Sequence, residues 1–220
     1  MSTVVITGAN RGIGLELAKL YKARGDEIIA LCRKASPELQ ALEVKAEEGI
    51  DVASDNLEQT LKSRLGEIKI DLLINNAGIL EYNELHALDL ASIRRQFDVN
   101  AVGPLRVASA LSENMCSPSK LAFITSRMGS IEDNTSGGRY GYRASKCALN
   151  MFAKSISIDL APKNVAVAIL HPGFVRTEMT GGNGHVEPEE SARNLVARID
   201  EMKMENTGAF RHANGESLPW

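Results

Sequence analysis

Cysteine is scarce in this chain. Its 220 residues hold three, Cys32, Cys116 and Cys147, scattered and odd in number. That spacing builds neither a disulfide framework nor a metal site, and it points to a reducing, cytoplasmic setting. The four histidines, His86, His171, His185 and His212, are dispersed and form no metal set. No apolar run approaches the roughly 20 residues of a bilayer span, so no membrane segment is expected. An excess of one charge is also missing. Twenty-five basic and 28 acidic residues leave a formal charge of −3, which argues against a general nucleic-acid or anionic-membrane binder. Repeats, low-complexity tracts and linker-like stretches are absent. The first strand-like run begins at Thr3, which leaves no room for a signal peptide. What remains is an ordinary composition, 44% hydrophobic and 24% charged, and a length suited to one domain over residues 1–220.

The opening stretch carries the first chemical signal. Thr3 to Thr7 reads as a buried strand. Gly8-Ala9-Asn10-Arg11-Gly12-Ile13-Gly14 follows at once, and Ile13, Leu17, Leu20 and Tyr21 then keep helical spacing up to Gly25. Strand, glycine-rich turn and helix form a dinucleotide-binding opening. Glycines permit the tight turn and the close approach of a pyrophosphate, and the helix N-terminus offers free N–H groups to it. The second strand, Glu27 to Leu31, ends in Cys32-Arg33-Lys34. An acid at that place would hold the ribose hydroxyls of NAD, whereas a base accommodates the 2′-phosphate of NADP. Arg33, Lys34 and nearby Arg11 favour NADP.

Strands and helices go on alternating. Pro37 to Leu42 reads as a short helix and Val44 to Val52 as a third strand. At its end, beside Val52, Asp51 is placed to hydrogen-bond an adenine amine. Leu57, Leu61 and Leu65 mark a helix ending at Gly66. Ile70 to Ile74 is a fourth strand, followed by Asn75-Asn76-Ala77-Gly78. Small residues there leave room for a cofactor, and the asparagines can pin strand ends. Asp98-Val99-Asn100 starts or interrupts a long helix. Leu121 to Thr125 is a fifth strand with Ser126 at its end, and Val165 to Leu170 a sixth, left by His171-Pro172-Gly173. Ala192 to Ile199 is helical, and Gly208 to Arg211 a last strand. The pattern implies a Rossmann-type, doubly wound parallel sheet with helices on both faces. Right-handed crossovers gather the strand C-termini into one ligand crevice.

Tyr142-Arg143-Ala144-Ser145-Lys146 opens a helical run with a stripe of Leu149, Phe152, Ala153, Ile156 and Leu160. A tyrosine and a lysine four apart share one face of a helix. A neighbouring ammonium lowers a phenol's pKa and fits it for proton transfer at an oxygen undergoing redox chemistry. On its own, Ser126 is a turn residue and Asn100 a helix cap. His171 reads as structural and Cys147 as a packing residue.

Taken in order, Thr7-Gly8-x-x-x-Gly12-x-Gly14, Asn75-Asn76-Ala77-Gly78, Asn100, Ser126, Tyr142-x-x-x-Lys146 and Pro172-Gly173 resemble the short-chain dehydrogenase/reductase family. The Arg-Met-Gly-Ser after Ser126, the Tyr140-Gly141-Tyr142 approach and the Leu218-Pro219-Trp220 ending are most similar to its C-factor-like carbonyl reductases. The resemblance implies roles. Tyr142 is the expected general acid/base, with Tyr140 as the rival phenol. Lys146 would lower its pKa and hold the nicotinamide ribose. Ser126 would orient the substrate carbonyl, with Thr125 and Ser130 as rival hydroxyls. Asn100 would hold a relay water. Pro172, Gly173, Val175 and Thr177 would line the nicotinamide side. The interval from Ser126 to Tyr142 exceeds the family's usual one and enlarges the loop around Gly137. A small, glycine-rich lid is expected at 177–187, and a homodimer or homotetramer built through the helices near Asn100 and Tyr142. The competing reading is a nucleotide-binding signalling or regulatory protein with little turnover, which would have no need of Asn100, Ser126, Tyr142 and Lys146 together.

Overall fold

The computed structural model describes residues 1–220. Strands β1 (Thr3–Thr7), β2 (Glu27–Leu31), β3 (Lys45–Glu47), β4 (Ile70–Asn75), β5 (Met115–Ile124), β6 (Val165–His171) and β7 (Ala209–His212) form one sheet in the order β3-β2-β1-β4-β5-β6-β7. Every neighbouring pair is parallel. Parallel pairing demands crossovers. They contain α1 (Gly12–Ala23), α2 (Pro37–Gln40), α3 (Leu57–Leu65), α4 (Leu90–Phe97), α5 (Gly103–Leu111), α6 (Tyr140–Asp159) and α7 (Pro188–Asp200).

Alternation along the strands divides the core in two. Val4 and Ile6 of β1 point to one face, with Ile28, Ile74 and Ile124, under Leu17 of α1 and Leu195 and Ile199 of α7. Val5 points to the other, with Ile29, Leu73, Phe123 and Ile169, under Leu61 of α3, Leu111 of α5 and Leu149 and Ala153 of α6. A strand covered on both faces must be apolar throughout, which is why these segments read as unbroken hydrophobic runs. The fold is the doubly wound α/β sheet that the alternation implies.

Two strands depart from the sequence expectation. The third strand is Lys45–Glu47, not 44–52. It stops because Glu47-Glu48 leads into Gly49, whose φ of +75° turns the backbone out of extended geometry. Asp51 and Val52 therefore lie on a loop. The fifth strand begins earlier, at Met115, through an irregular register against Ile70–Leu72. Asp98–Val102 interrupts a long helix, one of the two expectations for it: it is a π turn between α4 and α5.

The C-terminal ends of β1 and β4 are tied together. Thr7 Oγ1 accepts the N–H groups of Asn76 (3.0 Å) and Ala77 (3.1 Å). In return Asn76 Nδ2 donates to the carbonyls of Thr7 (3.1 Å) and Gly8 (3.2 Å). Thr7 is 1% exposed, so its hydroxyl is the partner available to those donors. Thr7→Val keeps the shape and orphans both. We expect a loss of about 1–3 kcal/mol in unfolding free energy, the cost of stranding buried donors, measured by urea denaturation. A change below about 0.5 kcal/mol, as at an indifferent surface position, would contradict this account of the strand ends.

Candidate active site

The tied strand ends border a cleft of about 270 Å³. Gly8, Asn10, Arg11, Gly12 and Ile13 line one wall, Asn76, Ala77 and Gly78 the next, and Tyr142, Lys146, Pro172 and Thr177 the far end. Arg33, Asp51 and Val52 form the near end, so the shortened third strand does not displace them. Hence the cleft collects most of the residues expected at a dinucleotide.

Its phosphate end is built from backbone. Arg11 is the N-cap of α1 in extended conformation; no side chain caps the helix, and its first turn holds no acid. The free N–H groups and the helix dipole therefore face the cleft without an internal anion. Gly8 has φ +67°, and a Cβ there would stand 2.9 Å from Ala77 Cα. Only glycine lets the two strand ends approach this closely. Gly14 differs from expectation: it does not line the cleft. A Cβ on it would lie 2.3 Å from the Gly8 carbonyl oxygen and 2.5 Å from Asn76 Nδ2, so this glycine serves packing beneath the turn.

The basic residues divide into two kinds. Arg33 is exposed at the cleft and makes no ion pair. Arg11, expected as a third free cation, pairs with Glu178. Glu178 belongs to a short turn, Glu178–Thr180, closed by a reciprocal Thr177–Thr180 cap. Thr177 Cγ2 would touch a Cβ on Gly12 at 3.5 Å, so the start of the 177–187 segment is docked on the glycine turn. Asp51 Oδ1 accepts from Ala53 N–H at 3.0 Å and bends the adjoining loop. Gly173 and Val175 lie behind the wall instead of lining it. Gly173 faces Val186 and His212, and Val175 is buried and bridged to Val186.

At the far end Tyr142, Ser126 and Lys146 are all buried. Tyr142 stands in the first turn of α6, after Arg139 in left-handed geometry has set the helix start. Burial pushes the phenol's pKa up, while the Ser126 hydroxyl facing it acts in the opposite direction. The expected lowering by Lys146 does not arise in this arrangement. Lys146 Nζ lies 5.9 Å from the Tyr142 ring centroid and donates to the Ile124 carbonyl at 3.0 Å. Burial pushes the ammonium's own pKa down to about 8. Ser126 caps the turn Arg127–Gly129, its Oγ accepting from Met128 N–H at 3.1 Å. Of the rivals, Thr125 lines the cleft where Ser126 does not, but its Oγ1 is engaged, donating to Asn150 Oδ1 at 2.6 Å; Tyr140 is exposed.

Asn100 is fully buried, and its Oδ1 and Lys146 Nζ both border Gly78, 3.1 and 3.6 Å from where a Cβ on that glycine would stand. Oδ1 accepts Ile79 N–H at 2.8 Å, and Nδ2 donates to Ile79 O at 2.8 Å and to Ser145 Oγ at 3.0 Å. Ser145 in turn donates to the Tyr142 carbonyl at 2.8 Å. The π turn thus reaches α6 through Ser145, a residue the sequence reading passed over, as it did the wall residues Leu31, Ile50, Ile79 and Val99. His171 is structural as read. Burial and the His212 ring, 4.8 Å away, push its pKa down to about 3, so it stays neutral near pH 7.

The profile of the short chain dehydrogenase family matches residues 2–187. A 1-hydroxy-2-glutathionyl-2-methyl-3-butene dehydrogenase of Rhodococcus sp. (strain AD45) is 38% identical over 226 residues, covering 100% of both chains. C-signal of Myxococcus xanthus is 42% identical over 154 residues, 69% of this chain and 93% of that one. The crystal structure of a carbonyl reductase from Pseudomonas aeruginosa PAO1 in complex with NADP superposes with a TM-score of 0.88 at 36% identity, covering 100% of both chains. By its sheet, its cleft and these likenesses, the chain belongs to the short-chain dehydrogenase family of oxidoreductases.

Proposed function

We propose that this protein is an NADP-dependent oxidoreductase acting on a small-molecule carbonyl or the corresponding alcohol. One observation carries the reading. Tyr142 and Lys146 stand, with Ser126 at the phenol, at one end of a cleft whose other end is the uncapped start of α1. A phosphate-binding end and a proton-transfer end in one groove fit a dinucleotide laid along it. When bound, that cofactor supplies or accepts the hydride at nicotinamide C4. The backbone at Gly8 to Ile13 holds its phosphates, Asp51 and Val52 border the adenine, and unpaired Arg33 takes the 2′-phosphate. Lys146 holds the nicotinamide ribose, and Pro172 and Thr177 border the nicotinamide. NADP bound to the similar Pseudomonas reductase supports the same choice here.

The proton steps belong to the chain. Ser126 orients the carbonyl oxygen and Tyr142 gives it a proton. Burial favours the neutral phenol, the form that donates a proton in carbonyl reduction. Asn100 acts by fixing Ile79 and Ser145 and so the start of α6. Self-association through α5 and α6 is part of the proposal, since Met151 and Ile158 of α6 are apolar yet exposed. The likeness to C-signal favours the alternative of a nucleotide-binding signalling protein, but such a protein needs no buried phenol at the nicotinamide end.

NADPH oxidation against a panel of aldehydes, ketones and quinones tests the activity itself. On any substrate so found, Tyr142→Phe should lower turnover by about 10²–10⁴-fold, the range of general acid–base catalysis. NADPH affinity should stay within a few-fold, because the phosphates are held elsewhere. Tyr140→Phe should keep most of the activity; the opposite ranking of the two variants would overturn the assignment.

Coenzyme choice has its own check. The parent should bind NADPH more tightly than NADH, and Arg33→Asp should erase or reverse that preference, read by fluorescence titration. Equal affinities in the parent would remove Arg33 from the role.

A further inference from the structure

The loop that follows Ser126 is gripped from two sides. On the inner side lies α6. A Cβ on Gly129 would stand 2.7 Å from the Lys146 carbonyl carbon and 2.8 Å from its oxygen, so the loop backbone rests directly on the catalytic helix. On the outer side lies the segment Leu218–Trp220. The Trp220 carbonyl oxygen accepts from Ile131 N–H at 3.1 Å, Glu132 N–H at 3.0 Å and the Ser130 hydroxyl at 3.1 Å. Three donors from consecutive residues converge on one oxygen. Ser130 is 2% exposed, and its oxygen also accepts Asp133 N–H at 3.0 Å.

The segment is itself anchored to the sheet. The Trp220 ring packs on Phe210 of β7, with centroids 5.5 Å apart. Leu218 is buried, and its N–H donates to the Phe210 carbonyl at 3.0 Å. Beyond the gripped residues the loop is exposed from Ile131 to Gly137. There it is tied by the Arg143 contacts to Ser136 and Gly137 and by an ion pair of Asp133 with Arg127 at 3.1 Å. The grip therefore falls at the residues that carry Ser126. The Ser126 carbonyl accepts Gly129 N–H at 2.9 Å, and the Arg127 carbonyl accepts Ser130 N–H at 2.9 Å. Ser130 and Ser126 thus belong to one hydrogen-bonded turn.

We propose that Leu218–Trp220 is a clamp that positions Ser126 against Tyr142, with Ser130 and Trp220 as positioning residues. The clamp ties β7 to the site without touching the reacting atoms. This rests on the reading of Ser126 as the group that orients the carbonyl. Its loss should be felt in the carbonyl half-reaction and not at the cofactor.

Ser130→Ala, Trp220→Ala, Trp220→Phe and Ser126→Ala would be compared on a carbonyl substrate that the parent reduces. Rates are expressed per NADPH-binding site, so that unfolded protein does not count. Ser130→Ala and Trp220→Ala should lose on the order of 10- to 100-fold in kcat, the scale of a misplacement of about 1 Å. The NADPH dissociation constant should stay within about two-fold of the parent's, since the clamp leaves the phosphate end alone. Trp220→Phe, which can still stack on Phe210, should recover most of the rate. Parent-like kcat per site in both alanine variants would overturn the clamp, as would Trp220→Phe behaving no better than Trp220→Ala. Parent-like turnover of Ser126→Ala would instead overturn the reading beneath it. Ser130→Ala deletes only a hydroxyl, so it remains informative if Trp220→Ala does not fold.

Discussion

The hydrogen bonds between Thr7 and the Asn76–Ala77 backbone hold the rest in place. They join the ends of β1 and β4, and β1 and β4 are the neighbours at which the strand order reverses direction, running β1-β2-β3 to one side and β4-β5-β6-β7 to the other. Crossovers leaving that point diverge to opposite faces, and the divergence opens a crevice at the strand ends. The glycine turn hangs from β1, the Asn76–Gly78 wall from β4. Because four hydrogen bonds from the β4 end converge on acceptors of Thr7 and Gly8, the two walls hold one spacing. Gly8 and Gly14 exist to permit that spacing: a side chain at either would collide with the opposite wall or with the turn itself.

Burial sets the chemistry at the other end. Removing Tyr142 from water favours the neutral phenol, and removing Lys146 weakens its hold on a proton. Both effects have the same origin: the low dielectric beneath α6 disfavours charge. A buried ammonium with one carbonyl partner, Ile124, is expensive to keep. Ligand oxygens laid beside it would supply the hydrogen bonds it lacks, so binding and the charge state of Lys146 are coupled. The apolar layer between α6 and its face of the sheet holds the helix firmly enough for these groups to remain out of water.

What the sequence made readable was local. The glycine turn, the Tyr142–Lys146 pair and the strand runs depend on spacing within a few residues. Strand β2 was legible to the residue at Glu27–Leu31. What stayed hidden depends on partners far along the chain. Arg11 reads as a free base until Glu178 folds back onto it, 167 residues away. Asn100 reads as a cap or a water ligand, and nothing in its spacing announces the contacts of its carboxamide with Ile79 and Ser145. Gly14 looks like a member of the phosphate cradle, yet its neighbour is a side chain from β4's end. The grip of Trp220 on Ser130, 90 residues apart, leaves no periodic trace at all. The third strand was overextended for a different reason: apolar Ile50 and Val52 continued the pattern past a glycine that turns the backbone.

The central claim is that the cleft joins a hydride donor to a proton donor and is not merely a nucleotide pocket. Its most direct test is isotopic. The protein is given NADPH deuterated at the transferable C4 position and a carbonyl substrate in ordinary water, and the product alcohol is examined by NMR and mass spectrometry. The account predicts one deuterium on the carbinol carbon, matched mole for mole by NADP formed, and a hydroxyl hydrogen that comes from solvent through Tyr142. Tight NADPH binding with no deuterium transferred to any aldehyde or ketone, and no NADPH oxidised by any quinone, would contradict it and leave a nucleotide-binding regulator in its place.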